Sequence, residues 1–284
     1  VGIGGGKVLD MAKAVAMQTK NRVIIVPSVT ASDAPTSACT VWYDDEGVCQ
    51  GFDLWPVNPD VVLVDTRVSV QAPAKMLVAG IGDALATYLE ARANCTADVE
   101  TCAGGTPTET VLPVAKLCFD LLMDNGEEAV MAAEAGVVTT PFEKVIEATV
   151  LLSGLGWENG GVCTAHDLGN NLTYFPETHA YMHGDKVAMG IVTQLMMERK
   201  MTSKEKREIV EFMVKVGLAV CFEDLNMQDV SKERIHEWCV KYIDEDPNAF
   251  SHHHPFKVTA DMVCDAMIAA NIYGKKIKDE IKGK

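Results

Sequence analysis

VGIGGGKVLDMAKAVAMQ, residues 1–18, reads as the end of a strand that breaks into a glycine turn and runs on as a helix over residues 7–18. Gly4, Gly5 and Gly6 would let the backbone approach a pyrophosphate closely, and a helix N-terminus presents free N–H donors at the positive end of its dipole. The spacing is neither a Walker loop nor G-x-G-x-x-G, so taken alone it fits an ordinary strand-to-helix turn equally well. Downstream, RVIIVP (22–27) and DVVLVD (60–65) are short, continuous apolar runs. Such runs predict parallel strands buried on both faces. Between them lie SVTASDAPTSA (28–38), a loop rich in hydroxyls, and then ACTVWY and VCQGF around DDEG, the pattern of a hairpin with an acidic turn. Strand signals stop near residues 70–73. From residue 74 the pattern predicts helices over residues 74–94, 108–123, 127–135, 141–153, 186–200, 205–217, 231–241 and 259–273, with a short one opening at His166. Residues 154–161 read as a glycine-rich break.

The chain has 284 residues, 48% of them hydrophobic and 23% charged, enough for a large core and two domains. Its formal net charge is −15, from 40 acidic against 25 basic residues, which disfavours nucleic-acid and anionic-membrane partners. No apolar run reaches the length of a membrane span. The nine cysteines include no C-x-x-C pair and mostly sit in apolar helical contexts. They read as reduced core residues, which implies a reducing compartment and a cytoplasmic location.

CTAHDLGNNLTYFPETHAYMHGDKVA (163–188) places His166 and His183 at the edges of expected helices, with a loop between them. Two such imidazoles can bind a metal when a third ligand arrives from elsewhere. Asp83 is the candidate, because a carboxylate in an apolar, small-residue helix is costly unless it is paired or coordinated. By spacing alone His–x16–His is no metal signature, and ordinary core or surface histidines fit it as well. SHHHP (251–255) reads as a surface loop, since three adjacent histidines point apart and cannot easily share one ion. His179 reads as a rim or proton-relay residue and His236 as a plain helix residue.

Five segments in this order, GIGGGKVLDMAKAVA, PSVTASDAPTSACTVWY, GIGDALATYLEAR, GWENGGVCTAHDLGNNLT and YMHGDKVAMG, resemble the glycerol dehydrogenase branch of the iron-containing alcohol dehydrogenase superfamily. The likeness runs over residues 2–190 and fades toward the C-terminus. It implies an α/β fold: a partial Rossmann-like parallel sheet, the remainder of an NAD-binding domain, over residues 1–71, then an all-helical domain for metal and substrate over residues 72–284. It implies NAD-linked oxidation of glycerol to dihydroxyacetone. Asp83, His166 and His183 would hold the metal, zinc in most such enzymes, with Fe2+ using similar ligands. Gly4, Gly5, Gly6 and Lys7 would wrap the cofactor phosphates. Ser28, Ser37, Cys39 and Val41 would line the nicotinamide pocket, and Asp33 would bond a substrate hydroxyl. A homo-oligomer, octameric by resemblance, is also implied.

Three departures bear on that expectation. His166-Asp167-Leu168-Gly169-Asn170 resembles the wider superfamily's H-x-L-G more than the branch's H-A-x-H-N, and this bears on substrate and metal choice. Cys39 stands where a bulkier apolar residue is usual, which would loosen the pocket. The strand–helix units that precede the glycine turn in the family, on the order of 90 residues at roughly 30 per unit, include the strand that holds the adenosine ribose. Their absence makes the chain a fragment or a natural short form, with weakened NAD binding expected. Other readings are a related dehydrogenase acting on another vicinal diol or on glycerol 1-phosphate, and a non-catalytic metal-binding fragment. The acidic balance and the lack of a visible Lys/Arg cluster argue against the phosphate ester.

Overall fold

The computed structural model describes residues 1–283; Lys284, the last residue of the expected helical part, lies outside the described residues. Strands β1 (Gly2–Gly4) and β2 (Ile24–Pro27) precede a hairpin of β3 (Cys39–Tyr43) and β4 (Cys49–Leu54), and β5 (Val61–Val62) follows it. The first, second and fifth strands form a parallel sheet in the order β1-β2-β5, with Gly2 opposite Ile25 and Ile25 opposite Val62. Helix α1 (Gly6–Thr19) lays Leu9 and Ala16 over Val23 and Ile25, which makes a small core of its own. The expected burial of RVIIVP and DVVLVD on both faces is wrong. Ile24 is 38% exposed, Val61 46% and Leu63 58%, and β5 is a two-residue strand rather than a full one. Apolar runs predict cover on both faces, but α1 supplies it on only one.

A short helix α2 (Thr66–Ser69), capped by the Asp65 carboxylate on the Arg67 N–H at 3.0 Å, leads into the helical part. It contains α3 (Ala74–Ala97), α4 (Val111–Glu134), α5 (Thr140–Glu147), α6 (Ser153–Gly160), α7 (Thr164–Asn171), α8 (His183–Met197), α9 (Ser203–Val216), α10 (Lys232–Cys239) and α11 (Ala260–Lys282). Two expected helices merge into α4, which passes through Gly126 without a break. A Cβ there would stand 2.6 Å from the Phe212 ring of α9, so tight packing outweighs the roughly 1 kcal/mol that an interior glycine costs. The expected break over residues 154–161 is likewise helix. A π-helical turn, Ala148–Leu152, joins α5 to α6, and the chain turns away only at Gly161, whose φ is +81°. None of the described helices is long and apolar enough to cross a membrane.

SHHHP is not a surface loop, because Ser251 and His254 are buried. The Ser251 N–H donates to Asp167 Oδ2 at 2.9 Å. His252 Nε2 meets the Ile243 carbonyl at 2.9 Å, His253 Nδ1 the Val162 carbonyl at 2.8 Å, and His254 Nε2 the Thr164 hydroxyl at 2.9 Å. The three rings tie this segment to the Ile243 carbonyl and to residues 162–164 instead of gathering on one ion. His236, on α10, pairs with Asp261 at 2.8 Å.

Candidate metal centre

Asp83, Thr87, Glu90 and Asn94 recur at i, i+4, i+7 and i+11 on α3, so they form one line along the helix. All four are buried, in a helix whose other buried positions are almost all apolar or glycine. Buried polar groups need partners, and each of these has one. Thr87 Oγ1 lies 3.0 Å from Ser153 Oγ, and Asn94 Nδ2 donates to the Val162 carbonyl at 3.1 Å. Glu90 Oε1 accepts from the N–H groups of Cys163 at 2.7 Å and His166 at 2.9 Å, while Oε2 meets His166 Nδ1.

At the head of this line, Asp83 Oδ1 lies 3.3 Å from Nε2 of His166 and 3.3 Å from Nε2 of His183. One ligand atom from each residue lies within 4.8 Å of the others. Ligands bound at tetrahedral zinc distances stand ~3.4 Å apart, which the two 3.3 Å contacts of Asp83 match. Electrostatics agrees. Burial alone would raise the Asp83 carboxyl, but hydrogen bonds from His166 and His183 outweigh it and hold the pKa well below the usual range. Burial alone would lower the His166 imidazole, but the charge of Glu90, with Asp83 next, holds it well above its ordinary value. A field that favours a proton there favours a metal cation by the same attraction. Two imidazole nitrogens and one carboxylate oxygen leave coordination positions for a substrate.

Asp33 comes to the same place from the loop after β2. Its N–H donates to Asp83 Oδ2 at 3.2 Å, and its Oδ2 accepts from Ser153 Oγ at 2.7 Å. Burial, then the charge on Asp83, pushes its carboxyl up to about 8. A dication held by Asp83 would offset part of that push. Ser153 sits one residue past the π turn, and the Thr36 hydroxyl donates to the Val150 carbonyl within that turn. π turns free such carbonyls and are frequent at functional sites. Here the turn docks the Asp33 loop.

A cavity of about 600 Å³ extends from the triad to the glycine turn. Gly5, Gly6, Lys7, Ser37, Cys39 and Val41 line it together with Asp33, Asp83, His166 and His183. Gly4 and Ser28 do not; they face each other instead, the Ser28 N–H donating to the Gly4 carbonyl at 2.9 Å. Lys7 Nζ stands 5.5 Å from the centre of the Tyr43 ring. Lys13 is fully buried, pins the loop to α1 through the Ala34 carbonyl at 2.8 Å and pairs with Asp10 on the same helix at 2.8 Å. Burial pushes the Cys39 thiol up to about 12, so it is a packing group rather than a nucleophile. His179 also lines the cavity and binds the Thr173 carbonyl at 2.8 Å. So does Lys186, held by the Tyr181 carbonyl at 2.6 Å and pushed down to about 8 by burial. Lys7, expected at the cofactor phosphates, and Lys186 thus both line the cavity.

A family model described as iron-containing alcohol dehydrogenase matches residues 1–66. Over 275 residues the chain is 42% identical to a glycerol dehydrogenase of Pseudomonas putida, which covers 97% of this chain and 74% of that one. The chain belongs to the iron-containing alcohol dehydrogenase family, in its glycerol dehydrogenase branch. Membership makes it an oxidoreductase, and the family implies NAD and a divalent metal. A glycolaldehyde reductase of Halobacterium salinarum is 38% identical, over 98% of this chain and 76% of that one. The crystal structure of a probable glycerol dehydrogenase from Sinorhizobium meliloti matches with a TM-score of 0.93 at 38% identity, over 97% of this chain and 77% of that one. The resemblance read from five motifs thus holds, and so does the α/β fold class.

Sequence reasoning missed Glu90, Ser153, Lys13 and Lys186. Glu90 had a visible signal, the polar line from Asp83 to Asn94 at helical spacing inside an apolar helix. Ser153 and Lys186 had none, because their partners are distant in the chain or are backbone carbonyls, and the spacing of Asp10 and Lys13 says nothing of burial.

Proposed function

We propose that the protein oxidises glycerol to dihydroxyacetone with NAD, at a site built on Asp83, His166, His183 and Asp33. The observation that carries this reading is the 3.2 Å contact between the Asp33 N–H and Asp83 Oδ2, which sets a second carboxyl beside the candidate metal ligand. A polyol has adjacent hydroxyls, and two adjacent acceptor sites suit it. When bound, a divalent ion supplies Lewis-acid polarisation of a substrate oxygen, and a nicotinamide supplies the hydride acceptor.

The chain's own residues do the rest. Asp83, His166 and His183 fix the oxygen-binding end of the cavity. Asp33, held by Ser153, hydrogen-bonds a neighbouring hydroxyl and orients the substrate. Val41 and Cys39 wall the nicotinamide end, with Ser37 beside them. Gly5 and Gly6, at the N-terminus of α1, supply backbone donors for phosphate, with Lys7 adjacent. Zinc suits the donor set, and Fe2+ uses the same ligands. We place the NAD-binding part over residues 1–71 and the metal and substrate part over residues 72–284, in keeping with the separate small core under α1. Val8, Met11 and Val15 form an exposed apolar row on α1, which supports homo-oligomer formation.

The test is the initial rate of NADH formation from glycerol, another vicinal diol and glycerol 1-phosphate. Glycerol should be the preferred substrate. Turnover of the phosphate ester with none of glycerol would overturn the reading in favour of an anionic substrate, which Lys7 and Lys186 would suit. Bound metal with no response of Trp157 fluorescence to NAD would favour a non-catalytic metal-binding fragment.

A further inference from the structure

We propose that Glu90 is a positioning residue that sets both the orientation and the tautomer of His166, presenting its Nε2 lone pair to the metal. The proposal rests on the reading of Asp83, His166 and His183 as ligands.

Helix α7 begins without a cap of its own. Its N-cap is Cys163, which makes no side-chain capping bond. The free N–H groups of a helix start need acceptors. Two neighbouring helices supply them. Glu90 Oε1, from α3, takes the N–H groups of Cys163 and His166, and Gln194 Oε1, from α8, takes that of Ala165 at 3.1 Å. Glu90 therefore grips the backbone of His166 with one oxygen.

Its other oxygen meets the ring of the same residue. An ionised carboxylate only accepts, so His166 Nδ1 must be the protonated nitrogen. Nε2 is the atom that faces Asp83 Oδ1, 3.3 Å away, and its lone pair is free for the metal once the proton it shares with Asp83 leaves. The ring can neither rotate nor exchange tautomers without breaking a buried hydrogen bond. Glu90 is wholly buried and none of its hydrogen-bond partners is a lysine or arginine. Its charge and that of Asp83 together balance one dication. Metal-binding histidines commonly hold their second nitrogen on a carboxylate in this way, and loss of such a partner lowers metal affinity about 10- to 100-fold.

The experiment is zinc affinity by chelator competition in Glu90→Gln, alongside thermal melting of the metal-free protein. Gln keeps the shape and can accept the backbone N–H groups. If its amide nitrogen faces Nδ1, the proton moves to Nε2, inside the metal site. A cooperatively folded E90Q with zinc affinity reduced about 10- to 100-fold supports the proposal. A folded E90Q that binds zinc within about threefold of wild type overturns it. If E90Q does not fold, nitrogen chemical shifts of His166 in the metal-loaded wild-type protein decide. A protonated Nδ1 with Nε2 on the metal supports the role, and the reverse tautomer overturns it. Failure of the ligand reading itself would look different, since the wild-type chain would then bind no zinc.

Discussion

Gly82 of α3 and Gly184 of α8 face each other where the two helices cross: a Cβ on Gly82 would lie 2.5 Å from the Gly184 carbonyl oxygen. Backbones come this close only where side chains are absent. Each glycine adjoins a candidate ligand, Gly82 before Asp83 and Gly184 after His183. The crossing thereby sets Asp83 Oδ1 3.3 Å from His183 Nε2.

Gly184→Ala should therefore disturb both fold and site. The new Cβ would meet the Ala79 carbonyl oxygen at 1.8 Å, a backbone atom that cannot swing away. A loss of about 3 kcal/mol, the upper end of ordinary overpacking, is expected in denaturant unfolding, with weaker metal binding. Unchanged stability would show that the helices separate freely and that the crossing does not fix the site.

Asp83→Ala and His183→Ala should each abolish stoichiometric metal binding, because either change leaves two protein ligands. Metal analysis after dialysis checks this. Full occupancy in both variants would rule out the site.

Ser153→Ala should reduce kcat/KM for glycerol about 3- to 10-fold, the worth of one hydrogen bond. The Asp33 carboxyl loses its 2.7 Å donor, while the three metal ligands keep their contacts. Metal content should stay at the wild-type level. Wild-type kinetics would mean that Asp33 needs no anchoring.

His254 should make the fold acid-sensitive. Burial lowers its imidazole to about 4, so the folded chain keeps it neutral where the unfolded chain takes up a proton near 6.5. Its contribution is complete above about 6.5 and is lost as pH falls toward 4, at most ~3 kcal/mol. Asp167, pushed up to about 6 by burial, acts in the opposite sense over part of that window. The informative quantity is thus the difference between wild type and His254→Gln. Denaturant unfolding from pH 7 to pH 4 should show a shallower acid loss in the variant, and equal slopes would refute the assignment.

Local pattern and motif order carry the family, the strand–glycine–helix opening, the hairpin and the helical remainder. The sequence named Asp83, His166 and His183 only through resemblance, since a spacing of sixteen residues between histidines has no meaning of its own. Tertiary structure decided what lies between separated segments. Glycines that signal breaks in isolation became packing notches, as Gly126 did under Phe212 and Gly156 against Thr87. Apolar runs that signal two-sided burial became half-exposed strands, because cover depends on a neighbour that the run does not encode. Glu90 and His166 stand 76 residues apart, yet share two hydrogen bonds once α3 and α7 are packed. A buried carboxylate must find donors, but only the fold says which ones.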